Sequence, residues 1–290
     1  MTSSKKAISG ASARNFTSAH PKFSSIFQII VILFWTMGCI FLSQFLLAFV
    51  FRFLIKNLNL HATLMQTIYS VTSYVVAGII IIFLPPRIAN LKKNKNAKPA
   101  NREDLGLIGW PTWTDIGLAP IGFIVYIVLA AVISGIFSAF PWFNATEAQS
   151  LGFDQFMMGF DRALAFFSLV IVAPLAEEII FRGYLYIKLK KSLQKIVNKS
   201  TSLSNKAPTK TSVKITRRAE LISIIIASLL TSIAFAIMHG QWNVGVNVFA
   251  MSLVLCLMRE ITGTIYSGII MHMIKNAVAF FLVFVVNFSF

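Results

Sequence analysis

Apolar residues in this chain gather into long runs separated by short polar stretches, with no sustained two-residue alternation of the kind half-buried strands show. A helix needs about 20 apolar residues to cross the hydrocarbon core of a bilayer, so runs of that length bounded by charge predict spans. Seven stand out, at roughly 27–51, 66–84, 116–140, 163–187, 220–239, 244–258 and 264–288. The sixth, about 15 residues long, either extends back through Gln241 or is re-entrant, which sets the count at seven to eight. The expected fold class is all-α, a polytopic transmembrane helical bundle. It divides into a mobile basic arm over 1–24, two N-terminal spans with a basic loop over 25–114, and a core bundle over 115–290. The first run begins only near Phe27 and continues for a full span, so it is expected to remain as an anchor rather than be cleaved as a signal peptide. The stretch Leu189–Arg218, rich in Ser, Thr, Asn and Lys and broken by Pro208, is expected to be a linker lying against anionic lipid.

Composition agrees with the pattern: 57% of the 290 residues are hydrophobic and 12% charged, which excludes a soluble globular domain. The net charge of +16 would suggest nucleic acid in a soluble protein, but its distribution follows the positive-inside rule. Lys5, Lys6, Arg14 and Lys22 lie on the N-terminal arm, and Arg87, Lys92, Lys93, Lys95, Lys98 and Arg102 in the 85–115 loop. Lys188 to Arg218 holds ten basic residues and no acid, whereas 141–161 carries Glu147, Asp154 and Asp161 and no Lys or Arg. This alternation predicts a multi-pass protein of the cell membrane with a cytoplasmic N-terminus, membrane lipids as its surroundings and no nucleic-acid partner. Trp110 and Trp113 are expected at headgroup depth. Cys39 and Cys256 fall inside apolar runs and offer no disulfide framework or CxxC motif.

The chemistry sits in the fourth run, which reads Ala173-Pro-Leu-Ala-Glu-Glu-Ile-Ile-Phe-Arg182-Gly183. Each ionised side chain at the middle of a span costs on the order of 3 kcal/mol on insertion scales, so such groups pair and serve function. Glu178 and Arg182, at i and i+4, can pair on one face; Glu177 lies about 100° around the helix and must face something else. Two of the four histidines lie in later runs, within Phe235-Ala-Ile-Met-His239 and His272-Met-Ile-Lys-Asn276. Phe235 shares a face with His239, as His272 does with Asn276. A carboxylate, two imidazoles and a carboxamide suit hydrolysis of a carbonyl by water, with a base for the proton and donors for the oxyanion. Glu177, His239 and His272 are also a set that can hold zinc with a position open for water. Neither HExxH nor a Ser/Lys dyad signature is present.

Glu177-Glu178-x-x-x-Arg182, Phe235-x-x-x-His239 and His272-x-x-x-Asn276, in that order on successive helices, resemble the three motifs of the CAAX-protease and bacteriocin-processing (Abi) family of intramembrane peptidases. The resemblance spans roughly residues 115–280 and implies endoproteolysis within the membrane, on a lipidated or membrane-associated peptide. The chain's size is similar to that of bacterial members, which implies a bacterial plasma membrane and a bacteriocin peptide as a partner in maturation or self-immunity. Carried over, Glu177 activates water with help from His239, His272 and Asn276 stabilise the oxyanion, and Glu178 and Arg182 orient the helix and tune Glu177. The family has been described both as metal-dependent and as glutamate-dependent. A non-catalytic immunity or scaffold protein, or a proton-coupled transporter, are the alternative classes.

Two features strain this expectation. Lys275 lies inside the third motif and is expected to snorkel to the interface. Counted from the cytoplasmic side, Glu177 and His272 lie about ten residues deep but His239 nearly twenty along its run. That helix must tilt or begin outside the membrane before Leu221, with Arg217, Arg218 and Glu220 at its start.

Overall fold

The structure, a computed structural model, describes residues 21–58, 61–91, 98–145, 147, 153–154, 157–200 and 210–286. Helices α1 (Pro21–Leu58), α2 (Ala62–Leu91) and α3 (Trp113–Phe137) come first. The fourth run is one continuous helix in five parts: α4 (Gly159–Phe166), π1 (Phe167–Val172), α5 (Ala173–Glu178), π2 (Ile179–Leu185) and α6 (Tyr186–Ser200). Helices α7 (Lys210–Ile237), α8 (Trp242–Thr262) and α9 (Tyr266–Phe284) complete the bundle. Seven helices are long and apolar enough to cross a membrane, and the described residues contain no strand. The all-α multi-pass fold is thus as the apolar runs predict. The short sixth run is a full span, because α8 reaches back to Trp242 behind Gln241, whose carbonyl accepts from Gly245 N at 2.7 Å.

Helix α8 is the axis of the bundle, packed by α7, α3, α9 and π2 and buried over most of its length. Outward faces carry Phe34, Phe45, Phe49, Ile124 and Val128, as lipid contact requires of a helix surface without a water-facing side. A helix starts at Pro21, inside the expected arm; residues 1–20 lie outside the described residues. The expected linker over Leu189–Arg218 is corrected more substantially. Residues up to Ser200 and from Lys210 are helical; Leu189 and Leu193, one turn apart, bury themselves in the core while Lys191 between them faces outward. Residues 201–209 lie outside the described residues.

Residues 101–109 pack against the helices at one end of the bundle. Leu105 is buried, Gly106 (φ 75°) accepts from Ile265 N at 3.1 Å, and the Leu105 carbonyl passes so close to Gly183 that a Cβ there would sit 2.9 Å from it. The Lys191 ammonium bonds Asp104 at 2.7 Å and holds that carboxyl below the usual carboxylate range. Lys190 pairs with Glu260 at 2.6 Å, and Tyr186 donates to the same carboxylate at 2.9 Å. These contacts define the basic end of the bundle. Trp110 and Trp113 project from it, 89% and 87% exposed.

Candidate active site

Glu177 and Glu178 close the six-residue α5, which lies between two stretches of π-helix. A π turn replaces i→i+4 bonding by i→i+5 and widens the helix, a distortion found mostly at functional sites. Here the Ala173 N–H donates to Ser168 O and the Tyr186 N–H to Phe181 O. The widening also leaves a carbonyl to be satisfied from outside: Asn276 Nδ2 on α9 donates to Leu169 O at 2.8 Å. Asn276 therefore braces π1 with one of its two amide hydrogens.

Glu178 is fully buried and its Oε1 receives two donors, Arg182 Nη1 at 2.8 Å and His272 Nδ1 at 3.1 Å. The i,i+4 ion pair read from the sequence is present. Arg182 is equally buried, and its guanidinium lies over the Phe235 ring at 4.5 Å. Glu178 Oε2 has no hydrogen-bond partner among the described residues, and Gly268 leaves room for it: a Cβ there would be 3.2 Å away. A carboxylate only accepts, so the Glu178 bond assigns the hydrogen of His272 to Nδ1. His272 Nε2 then faces Glu177 Oε2 at 3.7 Å. Two acceptors at that separation call for a shared proton or a water that donates to both.

His239 reaches this level because α6 and α7 form an antiparallel hairpin. The ring contact of Phe181 with Phe235 at 4.8 Å fixes the register. One turn before Phe181 is Glu177, and one turn after Phe235 is His239. Helix α7 begins at Lys210, well before Leu221, so the apparent excess of depth is length spent alongside α6. Gly240, at φ 67°, ends the helix at Ile237, and His239 sits in the closing turn. Its Nδ1 donates to Phe235 O at 2.9 Å, which leaves Nε2 as the acceptor. Phe235 is the hub: its centroid is 4.8 Å from the His239 ring and 6.0 Å from the His272 ring. Lys275, one turn from His272 within the third motif, is half-buried.

Glu177, Glu178, Arg182, Phe235, His239 and His272 are thus linked by direct contacts, while Asn276, one turn from His272, bonds the Leu169 carbonyl. Sequence reasoning missed Tyr74 on α2, whose hydroxyl donates to Glu177 Oε1 at 2.5 Å. The signal was faint: Ser70, Thr72, Ser73 and Tyr74 interrupt the second apolar run. Among the described residues no group of three or more His, Cys, Asp and Glu side chains is arranged to hold a metal ion. His272 Nδ1 bonds Glu178 and His239 Nδ1 bonds the Phe235 carbonyl, which leaves the two Nε2 atoms and Glu177 Oε2 as the atoms that would hold a metal.

Residues 159–278 match the family model described as type II CAAX prenyl endopeptidase Rce1-like. The resemblance to the CAAX-protease family is borne out. The matched segment runs from α4 into α9 and includes all three motifs, and the family it matches is one of membrane proteases. No match was found among the curated proteins or among the solved structures.

Proposed function

We propose that the protein is an intramembrane endopeptidase that hydrolyses a peptide bond of a lipidated or membrane-associated peptide, with its N-terminus and the basic end of the bundle on the cytoplasmic side. The observation that carries this reading is the arrangement of Glu177 Oε2 and His272 Nε2 as facing acceptors 3.7 Å apart, backed by a buried Glu178–Arg182 pair. A water between them donates to both, and its lone pair is free to attack.

Glu177 takes a proton from that water as its oxygen adds to the scissile carbonyl carbon. His272, kept in one tautomer by Glu178, accepts the water's other hydrogen, His239 Nε2 is a second acceptor in reach, and the second amide hydrogen of Asn276 is the donor for the developing oxyanion. Collapse breaks the C–N bond, and the proton held by Glu177 passes to the departing amine. The division of work between the two acids follows from their partners: Glu178 is neutralised and oriented, whereas Glu177 keeps one oxygen for water.

Purified protein is expected to cleave small membrane peptides with a lipidated cysteine, and to lose that activity in Glu177→Ala and in His239→Ala. Full activity in both variants would sink the assignment. The same assay with a chelator decides the metal requirement. Comparison of lipidated with unmodified peptides, and of a bacteriocin precursor with either, reads out the substrate class.

A further inference from the structure

The family match begins at residue 159, yet one oxygen of Glu177 is held from outside it. We propose that Tyr74 is a positioning residue for Glu177, and that α2 is therefore part of the catalytic apparatus rather than an added anchor. The inference rests on the endopeptidase reading and extends the site beyond the three motifs.

A carboxylate at the end of a glutamate turns about a broad, roughly two-fold torsion, so an unheld Glu177 would present either oxygen in a range of directions. The Tyr74 hydroxyl can only be the donor toward it, at 2.5 Å to Oε1. That bond leaves Oε2 as the oxygen facing His272 Nε2. Holding a carboxylate from one side while water occupies the other is what a general base needs, because reaction requires the attacking atom within a few tenths of an ångström of its place.

The phenol is itself well anchored. Tyr74 packs on the main core, and α2 lies against α5. Helix α1 braces α2 just before the contact, with Ser43 Oγ donating to Ser73 O at 3.4 Å and the Tyr69 hydroxyl to Gln44 O at 3.2 Å. The geometry therefore runs from α1 through α2 to the carboxylate.

The test uses the full chain. Tyr74→Phe keeps the ring and removes only the donor. With a membrane peptide as substrate, kcat is expected to fall roughly 10- to 100-fold while KM stays within about twofold, since the bond positions the base and does not bind substrate. In a Glu177→Gln background the same change is expected to lower residual turnover no further. Tyr74→Phe retaining kcat within about twofold, or an additive loss in the double variant, would overturn the proposal. A readout independent of turnover separates this from the endopeptidase reading. In infrared spectra with ring-labelled tyrosine, the phenol C–O band that Tyr74→Phe removes is expected to shift in Glu177→Gln. Absence of cleavage by the unaltered protein refutes the endopeptidase reading alone. An unshifted band refutes the Tyr74–Glu177 contact whatever the activity.

Discussion

Glu178→Gln is the sharpest test of the buried charge network, because it changes one atom's chemistry and almost no volume. Glu178 is 0% exposed, and its single engaged oxygen receives both Arg182 at 2.8 Å and His272 at 3.1 Å. The amide keeps an acceptor but removes the charge, leaving Arg182 as a buried cation with only the Phe235 face, 4.5 Å away, to offset it. Removing one partner of a buried pair costs about 3–5 kcal/mol, whereas replacing both by groups of similar volume is often neutral. At roughly 2–4 °C per kcal/mol, Glu178→Gln should lower the melting temperature by on the order of 10 °C. The double variant Glu178→Gln, Arg182→Met should regain most of that loss. The protein supplies its own reporter: Cys39 and Cys256 are both buried and free, so a thiol-reactive fluorophore in detergent reads their exposure on heating. Peptide cleavage should not recover with stability, because an amide can turn its NH2 toward Nδ1 and no longer fixes the His272 tautomer; a deficit of on the order of tenfold or more should persist. A Glu178→Gln protein melting within about 2 °C of the unaltered one would refute the reasoning, as would a double variant less stable than either single one.

Gly183→Ala should destabilise by about 1–3 kcal/mol, since its Cβ would sit 2.9 Å from the Leu105 carbonyl, a backbone atom that cannot swing aside; an unchanged melting temperature would show that the 101–109 segment does not press on π2. Asn276→Ala should cost about 1–3 kcal/mol by leaving the Leu169 carbonyl unpaired, and Asn276→Asp should melt lower still because an acceptor would face that carbonyl. Loss of cleavage by Asn276→Ala with no change in melting would assign the amide to the oxyanion instead.

The contact from Tyr74 bears on how the molecule is divided. The sequence suggests two N-terminal spans followed by a core that carries the chemistry, a division drawn where recognisable motifs begin. Physical packing follows no such line. Helix α2 touches α4, π1, α5 and π2, so the second span lies along the whole motif-bearing helix. The motifs record residues whose chemistry is needed in a fixed order on neighbouring helices; a phenol that steadies one oxygen can come from any helix that passes close enough.

The sequence by itself determined the solvent, the number of spans and the chemical inventory. Long apolar runs admit no other fold where backbone groups must bond within their own segment, and the expense of charge in lipid makes Glu177, Glu178, Arg182, His239 and His272 conspicuous wherever they end up. The i,i+4 pairing of Glu178 with Arg182 was legible too, because it is decided within one helix turn. What lies between helices was not. Apolar faces in lipid are interchangeable, so neither the hairpin register that brings His239 level with Glu177 nor the approach of Tyr74 leaves a periodic trace. The same holds for the helical course of 186–200, which a polar composition disguised as a linker although Leu189 and Leu193 are buried one turn apart. The π turns on either side of the glutamates leave no mark in the apolar pattern, and π1 is braced from another helix by Asn276.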